Sequence, residues 1–391
     1  MSSWKKVQVG DLGRIVTGKT PKTNISENYG GNIPFLTPSD DMSVKYVCKT
    51  IKYITETGML SVKNVTLPTG SVCVSCIGSN LGKVVITTEK TVTNQQINSI
   101  IANKQKYDVD FIYYAMLLLG KELNYYSKTS TAVPIINKNS FSQYYIDCPD
   151  LYEQKKIAKI LSILDEKIDK NNQINDNLQQ QAQALFINFF FNKDDTPSFW
   201  QKGCLLDIAD YLNGLAMQKF RPTDNEIGLP VLKIKELRQE SCDDSSDLCS
   251  PNIKTEYIVN NGDVIFSWSG SLIVDFWCGG TCGLNQHLFK VTSTKYDKWF
   301  YYAWTKYHLA RFIEVAVDKA TTMGHIKRDE LQKAEVFIPS DEDYNILGSK
   351  LQPMYDLIIA NRIESQKLAT LRNELLPKLI YGELDVSNIE F

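Results

Sequence analysis

Long apolar runs are missing from this chain. Its most apolar stretch, residues 111–119, falls far short of the roughly 20 residues a membrane-spanning helix needs. The first residues, MSSWKKVQVGDLG, lack the apolar core of a signal peptide, and a cytoplasmic location is expected. Histidine is scarce, with three in 391 residues, which leaves little material for acid–base or metal chemistry. The nine cysteines are an odd number on a chain without a secretory leader, so reduced thiols are expected. Cys73-Val-Ser-Cys76 and Cys278-Gly-Gly-Thr-Cys282 look like halves of a zinc site. Structural zinc wants four ligands in matched pairs, and these pairs lie at different places in the chain's internal repeat. They read as small buried residues, and no metal is expected. A charge excess is missing as well: the net is −2.

What the sequence does have is a helix pattern. Along residues 153–190, Ile157, Leu161, Leu164, Ile168, Asn171, Asn175, Leu178, Ala182 and Leu185 follow at alternating steps of four and three. That is the rhythm of a helix packing along a seam. The rhythm returns 190 residues later in Leu347, Leu351, Met354, Ile358, Asn361, Ser365, Leu368, Arg372 and Leu375. Both copies are polar at the fifth and sixth seam positions, where a buried Asn can fix register. Two copies of one helix are expected to pack on each other. Pro353 predicts a kink or a fresh start in the second copy, and Pro377 its end.

The rest of the chain is also written twice. Trp4 and Trp200 each stand seven residues before an aspartate, Asp11 or Asp207, that opens a matching run to Gly18 or Gly214. Ile33-Pro34-Phe35-Leu36 matches Leu229-Pro230-Val231-Leu232, and residues 70–75 match 262–267. Gly78-Ser79 matches Gly270-Ser271, Asn94-Gln95 matches Asn285-Gln286, and Tyr113-Tyr114 matches Tyr301-Tyr302. Ile136, Phe141 and Pro149 match Ile326, Leu331 and Pro339. The offset drifts from 196 to 190, as loop changes after a duplication would leave it. Each copy has short alternating strands after turn glycines (71–77, 263–268) and one aromatic helix (108–120, 297–312), which is α+β. The expected organisation is a domain over 1–150, a long helix over 151–191, a second domain over 196–340 and a long helix over 341–380.

Catalytic motifs come only as near misses. Gly30-Gly-Asn-Ile-Pro-Phe35 resembles the Asn-Pro-Pro-Tyr/Phe loop of adenine methyltransferases, but Ile33 breaks it and the second copy lacks it. Gly78-Ser-Asn-Leu-Gly-Lys83 is one residue short of a phosphate loop. The chain reads as a binder.

Nearly the whole length resembles the specificity subunit of type I restriction–modification systems. The resemblance is carried by Pro149, Glu153-Gln154-Lys-Lys-Ile157, Leu164-Asp165-Glu-Lys-Ile168 and Asn177-Leu-Gln-Gln-Gln-Ala-Gln-Ala-Leu185. It is carried also by the closing Leu375-Leu-Pro-Lys-Leu-Ile-Tyr-Gly-Glu-Leu384 and by the opening Trp4–Gly18, Thr20-Pro21 and Gly31–Phe35 segments. The second copy departs from the pattern: Asp343-Tyr344 stands where Glu153-Gln154 would, and Pro353 has no counterpart. The resemblance implies two target recognition domains joined by two long helices in an antiparallel coiled coil. Each domain would read half of a bipartite, asymmetric site on double-stranded DNA, with the helices setting a spacer. Two modification (methyltransferase) subunits would dock on the helices and carry S-adenosylmethionine. Restriction (translocase/endonuclease) subunits would use ATP and Mg2+. This chain would bind no cofactor and catalyse nothing.

Residues 1–149 carry net +6 and residues 196–341 net −3, so charge favours a polyanion only for the first domain. Candidate DNA contacts sit in matched polar loops, because phosphates want cations and hydroxyls while base edges want bidentate side chains. They are Lys19, Thr20 and Lys22 opposite Lys219 and Arg221; Ser75, Ser79 and Asn80 opposite Ser267, Ser269 and Ser271; and Lys128, Thr131 and Lys138 opposite Lys319, Thr321, Thr322 and Lys327. The repeated Asn94-Gln95 and Asn285-Gln286 read as backbone-satisfying, and the paired tyrosines as core. Two other functions fit less well: a coiled-coil scaffold with two protein-binding heads, and a stand-alone adenine DNA methyltransferase.

Overall fold

The computed structural model describes residues 4–128, 135–191, 197, 200–318 and 326–391. The chain forms two compact units, residues 1–165 with 370–391 and residues 166–369. Each unit takes one α+β repeat together with a stretch of both long helices.

In the first unit, a five-stranded sheet runs in the order Gly13–Thr17, Ile97–Ala102, Val72–Ser75, Val84–Thr87, Tyr46–Val47. Its first four strands pair antiparallel and the short edge strand joins in parallel. A three-stranded sheet places Tyr29–Leu36 between Lys52–Ile54 and Val92–Thr93. A two-stranded ribbon pairs Lys5–Gln8 with Tyr145–Cys148. The central strands Val72–Ser75 and Val84–Thr87 are buried on both faces, so they read as nearly continuous apolar runs. Val72, Val74, Val84 and Ile86 share a core with the aromatic helix Val109–Lys128, whereas Cys73 and Val85 face a second core. Asp108 starts that helix by accepting from the Phe111 N–H at 3.0 Å.

The second unit repeats the plan. Asp210–Asn213, Leu288–Thr292, Val264–Ser267 and Ile273–Phe276 form one sheet. Leu229–Leu232 lies between Leu248–Cys249 and Cys282–Leu284 in another, and Gln201–Cys204 pairs with Glu335–Ile338. The single aromatic helix expected over 297–312 is two helices, Lys298–Tyr307 and Leu309–Asp318, meeting at His308.

Both long helices form, as Leu151–Phe191 and Asp341–Ile380. Pro353 neither starts nor ends the second one: it lies exposed within an unbroken helix. The ring removes one backbone donor where water can serve the orphaned carbonyl, and burial of the other face holds the helix. Pro377 does not end it either, since the helix runs on to Ile380.

Seam residues are buried or half-buried throughout. Ile157 and Leu161 lie in the first unit's core with Leu376 and Leu379, and Leu164 is half-buried. Leu347, Leu351 and Ile358 lie in the second unit's core, with Leu178 and Met354 packed against it. Ile168 and Leu368 are half-buried. Within the second unit Asn171 Nδ2 donates to Ser365 Oγ at 3.2 Å and to Glu364 Oε2 at 2.8 Å. Asn361 Nδ2 donates to Asn175 Oδ1 at 2.9 Å. Contacts that rise along one helix while falling along the other mark an antiparallel pair. Its polar centre meets the demand that buried amides be paired.

Candidate functional site

Each unit brings its polar loops to one end of its largest sheet. In the first, the Gly18 N–H donates to the Ile97 carbonyl at 3.2 Å, and Thr20 Oγ1 donates to Gln95 Oε1 at 2.9 Å. The Cys76 N–H donates to the Gln96 carbonyl at 2.9 Å, and the Ile136 N–H to the Cys76 carbonyl at 3.0 Å. The loops at 18–22, 76–80, 94–96 and 135–138 are thereby tied side by side. In the second unit, Leu215 donates to the Leu284 carbonyl at 3.0 Å, Trp268 to that of His287 at 3.4 Å, and Ile326 to that of Trp268 at 2.9 Å. The same four loops meet again.

Close approach explains the repeated glycines at this junction. A Cβ on Gly18 would sit 2.2 Å from the Asn94 carbonyl oxygen, and one on Gly214 2.2 Å from that of Asn285. The repeated asparagines hold the turns: Asn94 Oδ1 accepts from the Gln96 N–H at 3.0 Å, and Asn285 Oδ1 from the His287 N–H at 3.3 Å.

Lys19, Lys22, Ser79 and Lys138 are exposed on this end of the first unit, with Thr20 and Asn80 half-buried. Asn80 Nδ2 is spent on the Pro38 carbonyl, at 2.7 Å. Lys219, Arg221 and Lys327 are exposed in the second unit, with Ser271 half-buried. Three candidates are corrected. Ser75 and Ser267 are fully buried at strand ends. Ser269 is also buried, its hydroxyl 3.1 Å from His287 Nδ1. Their side chains follow the inward turn of the pleat, so none offers a hydroxyl to a ligand. Lys128 ends the aromatic helix; Thr131, Lys319, Thr321 and Thr322 lie outside the described residues.

The electrostatics of the two ends differ. In the second unit Lys233 lies 2.5 Å from Asp247, and this contact, with a smaller contribution from Arg221, holds the Asp247 carboxyl below its usual range. Cations there are partly matched by acids. Of the cysteine pairs, Cys73 and Cys76 face different cores, and burial pushes the Cys73 thiol up to about 12. Their thiols point to opposite faces of the sheet. Among the described residues no cluster of three or more histidine, cysteine or acidic side chains could hold a metal ion. No helix there is long and apolar enough to cross a membrane.

The two repeats share one loop architecture and expose different side chains on it. The model of the type I restriction modification DNA specificity domain matches twice, over residues 1–180 and 197–372. The chain belongs to that family. A specificity subunit of the type I restriction enzyme MjaIX from Methanocaldococcus jannaschii is 26% identical over 419 aligned residues, covering 99% of this chain and 94% of the relative. The HindI specificity subunit of Haemophilus influenzae is 32% identical over 163 residues, 40% of this chain and 35% of that one. A crystal structure of an S subunit from M. genitalium has the same fold, with a TM-score of 0.58 at 14% identity, covering 99% and 97% of the two chains. The protein is thus a specificity subunit, the non-catalytic component that recognises DNA sequence in this family.

Other residues of this specificity subunit show what they hold only in three dimensions. Gln154 anchors the first long helix: its Oε1 accepts from the Asp108 N–H at 2.9 Å and its Nε2 donates to the Pro149 carbonyl at 2.9 Å. Trp268 joins the second unit's loop cluster, its indole N–H donating to Asn213 Oδ1 at 2.9 Å. Lys45, Asp110, Ser162, Asp165 and Arg372 meet around Tyr114. In that last group the sequence had marked Tyr114 by its recurrence as Tyr302, Asp165 in the family motif and Arg372 on the seam, but not that they meet.

Proposed function

We propose that this specificity subunit reads a bipartite, asymmetric site on double-stranded DNA, one half-site per unit. It directs two modification (methyltransferase) subunits, and with them restriction (translocase/endonuclease) subunits, to that site in the cytoplasm. The paired helices set the spacer between half-sites. The chain itself binds no cofactor: S-adenosylmethionine belongs to the modification subunit, and ATP with Mg2+ to the restriction subunit.

One observation carries the reading. The same loop cluster is built at the end of the large sheet in both units, while the side chains it exposes differ: Lys19, Lys22, Ser79 and Lys138 in one, Lys219, Arg221 and Lys327 in the other. A shared scaffold with unlike contacts suits two unlike half-sites. Phosphate contacts supply affinity, and base-edge contacts from the same loops supply specificity.

The test is methylome sequencing of a host that carries this chain with its modification subunit. A two-part motif with a fixed gap is expected. Adding one heptad to both helices should lengthen the gap by up to about three base pairs, from roughly 1.5 Å per helical residue against 3.4 Å per base pair. A single-part motif, or a gap unmoved by the heptads, would overturn the reading.

A further inference from the structure

Tyr114 and Tyr302 occupy the same place in the two repeats, on the aromatic helix of each unit. Asp165 and Tyr355 likewise occupy the same place on the two long helices, 190 residues apart. In each unit the pair meets. Tyr114 Oη donates to Asp165 Oδ2 at 2.5 Å. The Tyr302 ring packs edge-on against that of Tyr355, with centroids 5.0 Å apart.

The surroundings of the two pairs are chemically unlike. In the first unit Lys45 comes from the recognition domain with only 5% of its side chain exposed. Its ammonium lies 2.8 Å from Asp110 Oδ1, donates to Ser162 Oγ at 2.7 Å and to Tyr114 Oη at 3.4 Å. Arg372, from the second long helix, donates to Asp165 Oδ1 at 2.6 Å. Two cations and two carboxylates therefore close a network that touches the domain and both helices. In the second unit Phe276 stacks on Tyr302 at 3.9 Å, and Arg362 lies 2.8 Å from Asp275.

We propose that Lys45, Tyr114, Asp165 and Arg372 form a joint that sets the bearing of the first recognition domain on the helix pair, and so act as positioning residues for the spacer. The inference rests on the function proposed above. Packing alone tolerates small rotations, because dispersion contacts are non-directional. Buried charge-assisted hydrogen bonds are directional and are lost when geometry slips. A domain fixed in this way presents its loops at one distance from the other half-site. A domain held only by packing presents them over a range.

The test uses the full chain co-expressed with its modification subunit. Tyr114→Phe keeps size and removes the hydroxyl that meets Asp165 and Lys45, and Asp165→Asn keeps size and removes the charge that meets Tyr114 and Arg372; Lys19→Ala, in the loop cluster, is the comparison. Melting temperature and co-purification with the modification subunit show that each variant folds and assembles. Methylome sequencing then scores the wild-type motif and the same half-sites with the gap one base pair longer or shorter. The joint variants should keep the half-site sequences while the preference for the wild-type gap over its neighbours falls at least roughly tenfold, since about 1 Å of misplacement can cost a hundredfold. Lys19→Ala should lower methylation without changing gap preference. If the folded, assembled joint variants lose methylation equally at all gaps, or keep the wild-type preference, the joint is overturned. If the wild-type chain directs no two-part motif, it is the function itself that fails.

Discussion

A hydroxyl is worth something to DNA only if it can reach it. Ser75 is buried, and among the described residues its Oγ has no hydrogen-bond partner. Replacing it with alanine removes an uncompensated polar group rather than a contact. Ser75→Ala should leave DNA affinity unchanged and stability within about 0.5 kcal/mol of wild type or above it, by thermal melt and filter binding. Lys19, Lys22 and Lys138 are the opposite case, exposed at the loop cluster. Each changed to alanine should weaken binding of the assembled complex, by about 1–3 kcal/mol if it reads a base. If it contacts phosphate, it should instead lower the slope of log affinity against log salt by about one. A salt titration separates the two outcomes, and unchanged affinity and slope would remove that lysine from the interface. Composition and repeat matching picked out these loops but could not sort their side chains. Ser75 and Ser79 look alike in sequence, yet Ser75 ends a buried strand while Ser79 lies exposed in the 3-10 turn that follows.

At the scale of elements, the long helices were the most legible part of the chain. The heptad rhythm named the seam, and the structure buries Asn171, Asn175 and Asn361 in it. Asn361→Ala should cost about 1–3 kcal/mol, because it leaves the Asn175 amide buried without its donor. Changing Asn175 and Asn361 together to leucine should recover or exceed wild-type stability in denaturant unfolding, because the unmet polar demand disappears with both partners. The prolines were less legible, since the cost of Pro353 depends on which helix face it occupies, and it occupies the wet one. The break at His308 was not legible at all. His308 is buried, its Nε2 2.8 Å from the Glu335 carbonyl oxygen, and burial holds its pKa below the ordinary value. The unfolded chain therefore takes up the proton first as pH falls. Stability is complete above about pH 6.5 and declines as pH falls from there through the folded-state pKa. His308→Gln keeps a donor for Glu335 without a titrating ring, and should flatten that part of the stability–pH curve.

On the scale of the whole molecule, the duplication foretold two α+β bodies but not how the chain shares itself between them. Heptads and turn signals are local, whereas the compact units are defined by contacts distant in sequence. Lys156 Nζ, for instance, donates to the Ser387 carbonyl at 2.6 Å. Leu376, Leu379, Ile380 and Val386 complete the first unit's core. A chain ending at Ala369 would leave Ile157 and Leu161 without that cover. By scanning calorimetry, its first unit should melt well below wild type while the second, which lacks nothing up to that residue, holds its transition.

This arrangement also orders events at the ribosome. The second unit is one continuous stretch, residues 166–369, whereas the first is split around it. The part made first must therefore wait for residues 370–391 before its core can close. At about 5–20 residues per second, the interval is roughly 10–40 s. For that time an unfinished apolar surface hangs from the nascent chain, and its younger neighbour is complete only when residue 369 has been added, about 1–4 s before residue 391. Growing cells that make this protein should need chaperone cover for longer over the first unit, whose early part waits through the whole synthesis of the second.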